Sequence, residues 1–139
     1  MIILDTNVIS ELMRPMPELR VPRWLDQQPR TSIWTTSVTV FEIRFGLEAM
    51  PAGKRRIAFM ASFERWLAEV VEQRIAGYDE SAARRSAELA AERQRIGRPG
   101  ELRDTMIAGI VLASHATLAT RNVKHFEEIA SSVVNPWEA

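Results

Sequence analysis

The sequence predicts an α/β fold, a three-layer α/β/α sandwich around a central parallel sheet. Three observations carry that expectation. Short β-branched and aliphatic runs alternate along the chain with longer segments of helical periodicity, the pattern of strand–crossover–strand units. The first run, Ile2–Ile3–Leu4, is uniformly apolar, as a strand buried on both faces requires. No internal repeat or low-complexity tract divides the 139 residues, so one domain over 1–139 is expected, long enough for a sizeable core.

Taken in order, Ile2–Leu4 is strand one and stops at Asp5. "NVISELM" (7–13) opens a short helix, and Pro15 and Pro17 break the chain behind it. "ELRVPRWLDQQ" (18–28) reads as a second helical segment, with Pro22 tolerable only near its start. "TSIWTT" (31–36), β-branched and aromatic, is strand two, and Ser37 can cap the helix "VTVFEIRFGLEAM" (38–50). Beyond Pro51 and Gly53, "KRRIAFMASFERWLAEVVEQ" (54–73) carries apolar residues at three- and four-residue spacing, a long amphipathic helix. "RIAGYD" (74–79) is strand three, and Asp79 caps "ESAARRSAELAAERQRI" (80–96). Gly97, Pro99 and Gly100 interrupt the chain before the helix "LRDTMIAGIVLASHA" (102–116). "TLAT" (117–120) is strand four, "VKHFEEI" (123–129) a short helix and "VVNP" (133–136) a last strand.

The composition, 46% hydrophobic and 26% charged, is that of a soluble globular protein. The absence of cysteine excludes disulfides and thiolate metal sites and suits a reducing cytosol. Basic and acidic residues balance at 18 each, so any site for a polyanion must be local. Charge at Asp5 precedes any apolar signal region, and the longest stretch free of Asp, Glu, Lys and Arg, Thr105–Thr120, is too short to span a bilayer. A cytoplasmic location without a membrane partner is expected.

Four oxygen-bearing residues then stand out. Asp5 follows strand one, Glu42 lies in the helix after strand two, Asp104 opens a late helix and Asn122 follows strand four. In open α/β sheets the ligand crevice lies beyond the carboxyl ends of the strands, so Asp5 and Asn122 can share one. Asp5 alone could be a helix N-cap, and Asp104 could simply complement its helix dipole. Glu42 is harder to dismiss, since Val38, Thr39, Phe45 and Gly46 at helical spacing leave it no basic partner beside an apolar stripe. A divalent cation would supply the missing charge. Carboxylate and amide oxygens select a hard ion, Mg²⁺ or Mn²⁺, and His115 and His125 read as surface residues rather than zinc ligands. Several carboxylates around Mg²⁺ point to phosphoryl transfer, including phosphodiester hydrolysis by a metal-activated water. No Rossmann, P-loop or nucleophile-elbow motif competes. A phosphatase with an aspartyl nucleophile would want a second Asp where Asn7 stands.

"MIILDTNVISEL", "TSVTVFEIRFGL", "LRDTMIAGIVLASHATLATRNVKHF" and "VVNPW" together resemble a PIN-domain ribonuclease. More narrowly they resemble the VapC toxins of type II toxin–antitoxin pairs, in the FitB-like subgroup. The resemblance implies the PIN-like sandwich, a Mg²⁺-dependent endoribonuclease activity on RNA, and inhibition by a cognate antitoxin. It implies catalytic, metal-binding roles for Asp5, Glu42 and Asp104. At the fourth position, often Asp in the family, this chain has Asn122, a neutral metal ligand at best. Thr6 and Asn7 complete the first motif, and Arg121 beside Asn122 is the candidate phosphate contact. Of the other basic residues, Lys54–Arg56 and the Arg84–Arg103 set read mostly as solvated helix faces with Glu partners. Trp24 and Trp66 read as core or interface residues. Large side chains around Phe45, Phe59, Phe63, Trp66 and Leu67 exceed what one face should bury, so a homodimer is expected, heterotetrameric or larger with antitoxin. The alternative is a PIN-like module that binds RNA or a partner without cutting.

Overall fold

Apolar runs this short supply only short strands. In the computed structural model, which describes residues 1–139, the strands are β1 (Ile2–Leu4), β2 (Ile33–Thr36), β3 (Ile75–Ala76), β4 (Thr117–Ala119) and β5 (Val133–Val134). The helices are α1 (Thr6–Leu12), α2 (Arg20–Asp26), α3 (Ser37–Ala49), α4 (Lys54–Glu69), α5 (Glu80–Arg95) and α6 (Leu102–Ser114). All five strands pair in parallel in one sheet, in the order β3-β2-β1-β4-β5.

Because side chains alternate across a strand, the sheet feeds two cores. Ile3 and Leu118 pack with Ala82, Leu89, Ile107, Ile110, Val111 and Phe126. Leu4 and Ala119 pack with Val8, Ile9, Trp24, Phe63, Trp66 and Trp137. One helical layer is thus α5 and α6, the other α1, α2 and α4, the expected α/β/α sandwich. α3 touches both, through Val38 on one side and Val40, Ile43 and Leu47 on the other. Gly109 lets α6 lie close against α5, for a Cβ there would sit 1.9 Å from the Ser86 Oγ and 2.5 Å from the Ala82 carbonyl.

The chain leaves β1 to one side for β2 and β3, then crosses to the other for β4 and β5. The carboxyl ends of β1 and β4 therefore flank the topological switch point of the sheet.

Several boundaries differ from expectation for local reasons. Thr36, not Ser37, caps α3, its hydroxyl accepting the Thr39 N–H at 3.0 Å. The 54–73 helix stops at Glu69, because Glu72 and Gln73 take left-handed φ of 48° and 60°. The Gln73 N–H then closes on the Leu67 carbonyl at 2.9 Å, and buried Val71 turns the chain into β3. Residues 123–132 form 3-10 turns rather than one helix, since Phe126 and Ile129 leave helical angles to reach the core. Phe63, Trp66 and Leu67 are core residues and Phe59 is half-buried, so of the expected surplus only Phe45 is exposed, and Phe41 and Leu102 join it.

Candidate active site

Asp5 is the first residue beyond β1, and its register neighbour beyond β4 is Thr120. Its amide donates to the Ala119 carbonyl at 3.0 Å, which continues the ladder by one bond and buries the carboxylate at 4% exposure. Oδ1 accepts the Thr6 N–H at 2.8 Å, so Asp5 does cap α1. Oδ2 accepts the Thr120 hydroxyl, also at 2.8 Å. Capping and site membership coexist, because the two oxygens have different partners.

Thr120 was not singled out from the sequence. Its hydroxyl donates to Asp5 and accepts from Asn7 Nδ2 at 3.2 Å and from the Asn122 N–H at 3.1 Å, the full capacity of a hydroxyl. Asn7 completes the tie, its Oδ1 accepting the Arg121 N–H at 3.1 Å. Only the pairing of β1 with β4 reveals Thr120, and that register cannot be read from either segment alone.

Glu42 projects from α3 toward α1, where its Oε1 accepts the Thr6 hydroxyl at 3.2 Å. Its Oε2 lies 3.9 Å from Arg103 Nη1. Asp104 sits in the first turn of α6, placed there by Glu101, whose carboxylate caps the Asp104 N–H at 3.0 Å. Asp104 Oδ2 is 2.8 Å from His125 Nδ1, which carries the hydrogen when it faces a carboxylate. Both acids therefore have nitrogen neighbours that reading i±3 and i±4 along a helix could not find. His125 is exposed, as expected, yet belongs to the site; His115 ends α6 in a left-handed conformation on the surface.

Electrostatics tie the three carboxylates together. Burial pushes the Asp5 carboxyl above its ordinary pKa, the Thr120 and Thr6 bonds oppose that rise, and the Asp104 charge adds to it. Glu42 is also raised, first by burial and then by the charge of Asp5, with Thr6 and Arg103 opposing. No three Asp, Glu or His side chains converge closely enough here to ligate one ion. The hard, anionic donors of Asp5, Glu42 and Asp104 suit Mg²⁺ or Mn²⁺. Asn122 lies exposed at the same edge with its side chain unbonded within the protein. The Arg121 guanidinium is stacked 4.9 Å from the Trp137 ring.

A PIN domain family model matches residues 2–131. The chain is 39% identical over 139 residues to the plasmid stability protein StbB of Pseudomonas syringae pv. tomato, covering 100% of both. It is 39% identical over 138 residues to the VapC ribonuclease Y4jK of Sinorhizobium fredii, covering 99% of both. Among solved structures, that of FitAcB from Neisseria gonorrhoeae superposes with a TM-score of 0.90 at 32% identity over 100% of both chains.

Proposed function

The chain belongs to the PIN-domain family, in its VapC/FitB toxin–antitoxin branch, and on that premise we propose that it is a Mg²⁺-dependent endoribonuclease, the toxin of such a pair. The observation that carries the reading is that Thr6 bridges the Asp5 and Glu42 carboxylates at the switch point of the sheet, while Arg103, beside Asp104 in α6, lies 3.9 Å from Glu42. A divalent cation bound there, Mg²⁺ or in its place Mn²⁺, would activate water for in-line attack on a phosphodiester and stabilise developing charge.

The chain's own residues do the rest. Thr6 orients two acids at once, its N–H on Asp5 and its hydroxyl on Glu42. Asn7 and Thr120 lock the ends of β1 and β4 together, so the Asp5 oxygens cannot swing away. Asn122 offers a neutral oxygen at the fourth position. Arg121, ordered by its stacking on Trp137, offers an RNA phosphate a guanidinium that has already lost much of its rotamer freedom.

A cognate antitoxin fits an open cleft of about 500 Å³ between α1, α3 and α4. Met13, Ile43, Leu47 and Phe59 line it, and Thr6 and Glu42 border it, so an apolar helix seated there could aim a basic side chain at the acids. Phe41, Phe45 and Leu102, at 55%, 62% and 72% exposure, are the face on which we place a homodimer, with the antitoxin complex heterotetrameric or larger. No helix is long and apolar enough to cross a membrane, and we assign the activity to the cytoplasm.

The test is incubation of purified protein with total RNA, with Mg²⁺ and with EDTA, followed by mapping of new 5′ ends. Discrete new ends that require the metal support the reading. Binding to RNA without cleavage in Mg²⁺ would favour the non-cutting module instead.

A further inference from the structure

Arg93 stands apart from the other arginines of α5. Arg84, Arg85 and Arg95 lie on the surface beside Glu80, Glu88 and Glu92, the solvated-face pattern the sequence suggests. Arg93 is only 3% exposed. Its guanidinium donates in three directions, to Thr105 Oγ at 2.8 Å, to the His125 carbonyl at 2.9 Å and to the Glu128 carboxylate. The turn at 97–101 closes over it so tightly that a Cβ at Gly100 would lie 2.2 Å from Nη1.

Arg93 is buried but its partner Glu128 reaches solvent, and an ion pair with one exposed member is a poor source of net stability. What the guanidinium does supply is a rigid fork with donors fixed in one plane. Two of its acceptors adjoin the candidate active site. Thr105 follows Asp104 in the first turn of α6, and the His125 carbonyl belongs to the residue whose ring meets Asp104. Arg93 therefore sets the separation of two segments that share no covalent link near the site. Phe126 and Ile129 pack this turn against α6 in the core, but at the site itself the only direct polar tie between the two segments, apart from those through Arg93, is the exposed His125 ring on Asp104.

We infer that Arg93 is a positioning residue, which holds the 3-10 turn of His125 against the start of α6 and so keeps the His125 ring on Asp104. The inference rests on the proposed metal role of Asp104 for its functional consequence, though its structural half stands alone. Outer partners of a ligating carboxylate typically contribute 10- to 100-fold to metal affinity, so displacing His125 should cost about 10-fold or more.

The experiment compares wild type, Arg93→Met, His125→Ala and the double variant, all free of RNA. Two-bond ¹H–¹⁵N spectra of the histidine rings report the His125 Nδ1–H bond, calorimetry reports Mn²⁺ affinity, and urea unfolding reports stability. Arg93→Met should lose the His125 signature and weaken Mn²⁺ binding about 10-fold, while adding it to His125→Ala should change the affinity by less than about 2-fold. An unchanged His125 signature, or an equal further loss of affinity in the double variant, overturns the proposal. Should Arg93→Met fail to fold, Thr105→Val and Glu128→Ala each remove one acceptor of the guanidinium and are read the same way. A wild type that binds no Mn²⁺ counts against the nuclease reading, whereas the His125 spectrum still decides the role of Arg93.

Discussion

Asp5 is held where a carboxylate is costly. It is buried beside Asp104, and its bonds from Thr6 and Thr120 only partly offset the burial that raises its pKa. A carboxyl raised in the folded state binds its proton more tightly there than in the unfolded chain. The metal-free protein therefore loses stability as pH climbs from the ordinary carboxylate range, about pH 4, through the folded pKa, and the loss is complete above it. Glu42 acts in the same direction. Asp5→Asn removes that cost and can keep the bond from the Thr6 N–H through its amide oxygen. In EDTA the variant should be more stable than wild type at pH 7, with a gain that shrinks to nothing as pH falls below the unfolded value. Cleavage should meanwhile drop by at least about 100-fold. Urea unfolding across that pH range checks the sign, and a gain independent of pH would mean that Asp5 titrates normally.

At the level of elements, α6 carries Asp104, and its place depends on a close contact with α5. Gly109 has no room for a methyl group against Ser86 and the Ala82 carbonyl, and the Ser86 hydroxyl also donates to the Thr105 carbonyl at 3.0 Å. Gly109→Ala should destabilise the protein by about 1–3 kcal/mol through overpacking, despite the gain in helix propensity, which is worth about 1 kcal/mol. A urea midpoint equal to or above that of wild type would show that α6 shifts freely.

Such contacts mark where the sequence stops being informative. The alternation of apolar runs with amphipathic segments foretold the parallel sheet and its helical layers, because burial on both faces leaves its mark on the central strands β1 and β4. It could not give the register of β1 on β4, and Thr120 was missed for that reason. Arg103 and His125 were missed as partners because both reach the acids across elements, beyond any helical spacing. Arg93 looked like its surface neighbours on α5, and only the fold turns it inward. The end of α4 was misplaced because two non-glycine residues adopt left-handed angles that no residue type announces.

For the molecule as a whole, a net charge of zero hides strong local asymmetry. Three segments far apart in sequence, at 5, 42 and 104, supply the carboxylates of the proposed metal site, and Asn122, its proposed fourth member, is uncharged. Three negative charges more than balance one divalent cation, whereas two cations would leave the site net positive until RNA phosphate arrives. The substrate-free protein should therefore hold a single Mg²⁺ or Mn²⁺ weakly, and gain stability from it in proportion to the logarithm of metal concentration.

The measurement closest to this claim is a calorimetric Mn²⁺ titration at fixed pH and salt of wild type, Asp5→Asn, Glu42→Gln, Asp104→Asn and Asn122→Asp. The account predicts one weak site in wild type, its affinity reduced at least about 10-fold by each of the first three changes and strengthened by the fourth. Equal affinity and stoichiometry in all five proteins would contradict it, because the cation would then sit somewhere other than among these carboxylates.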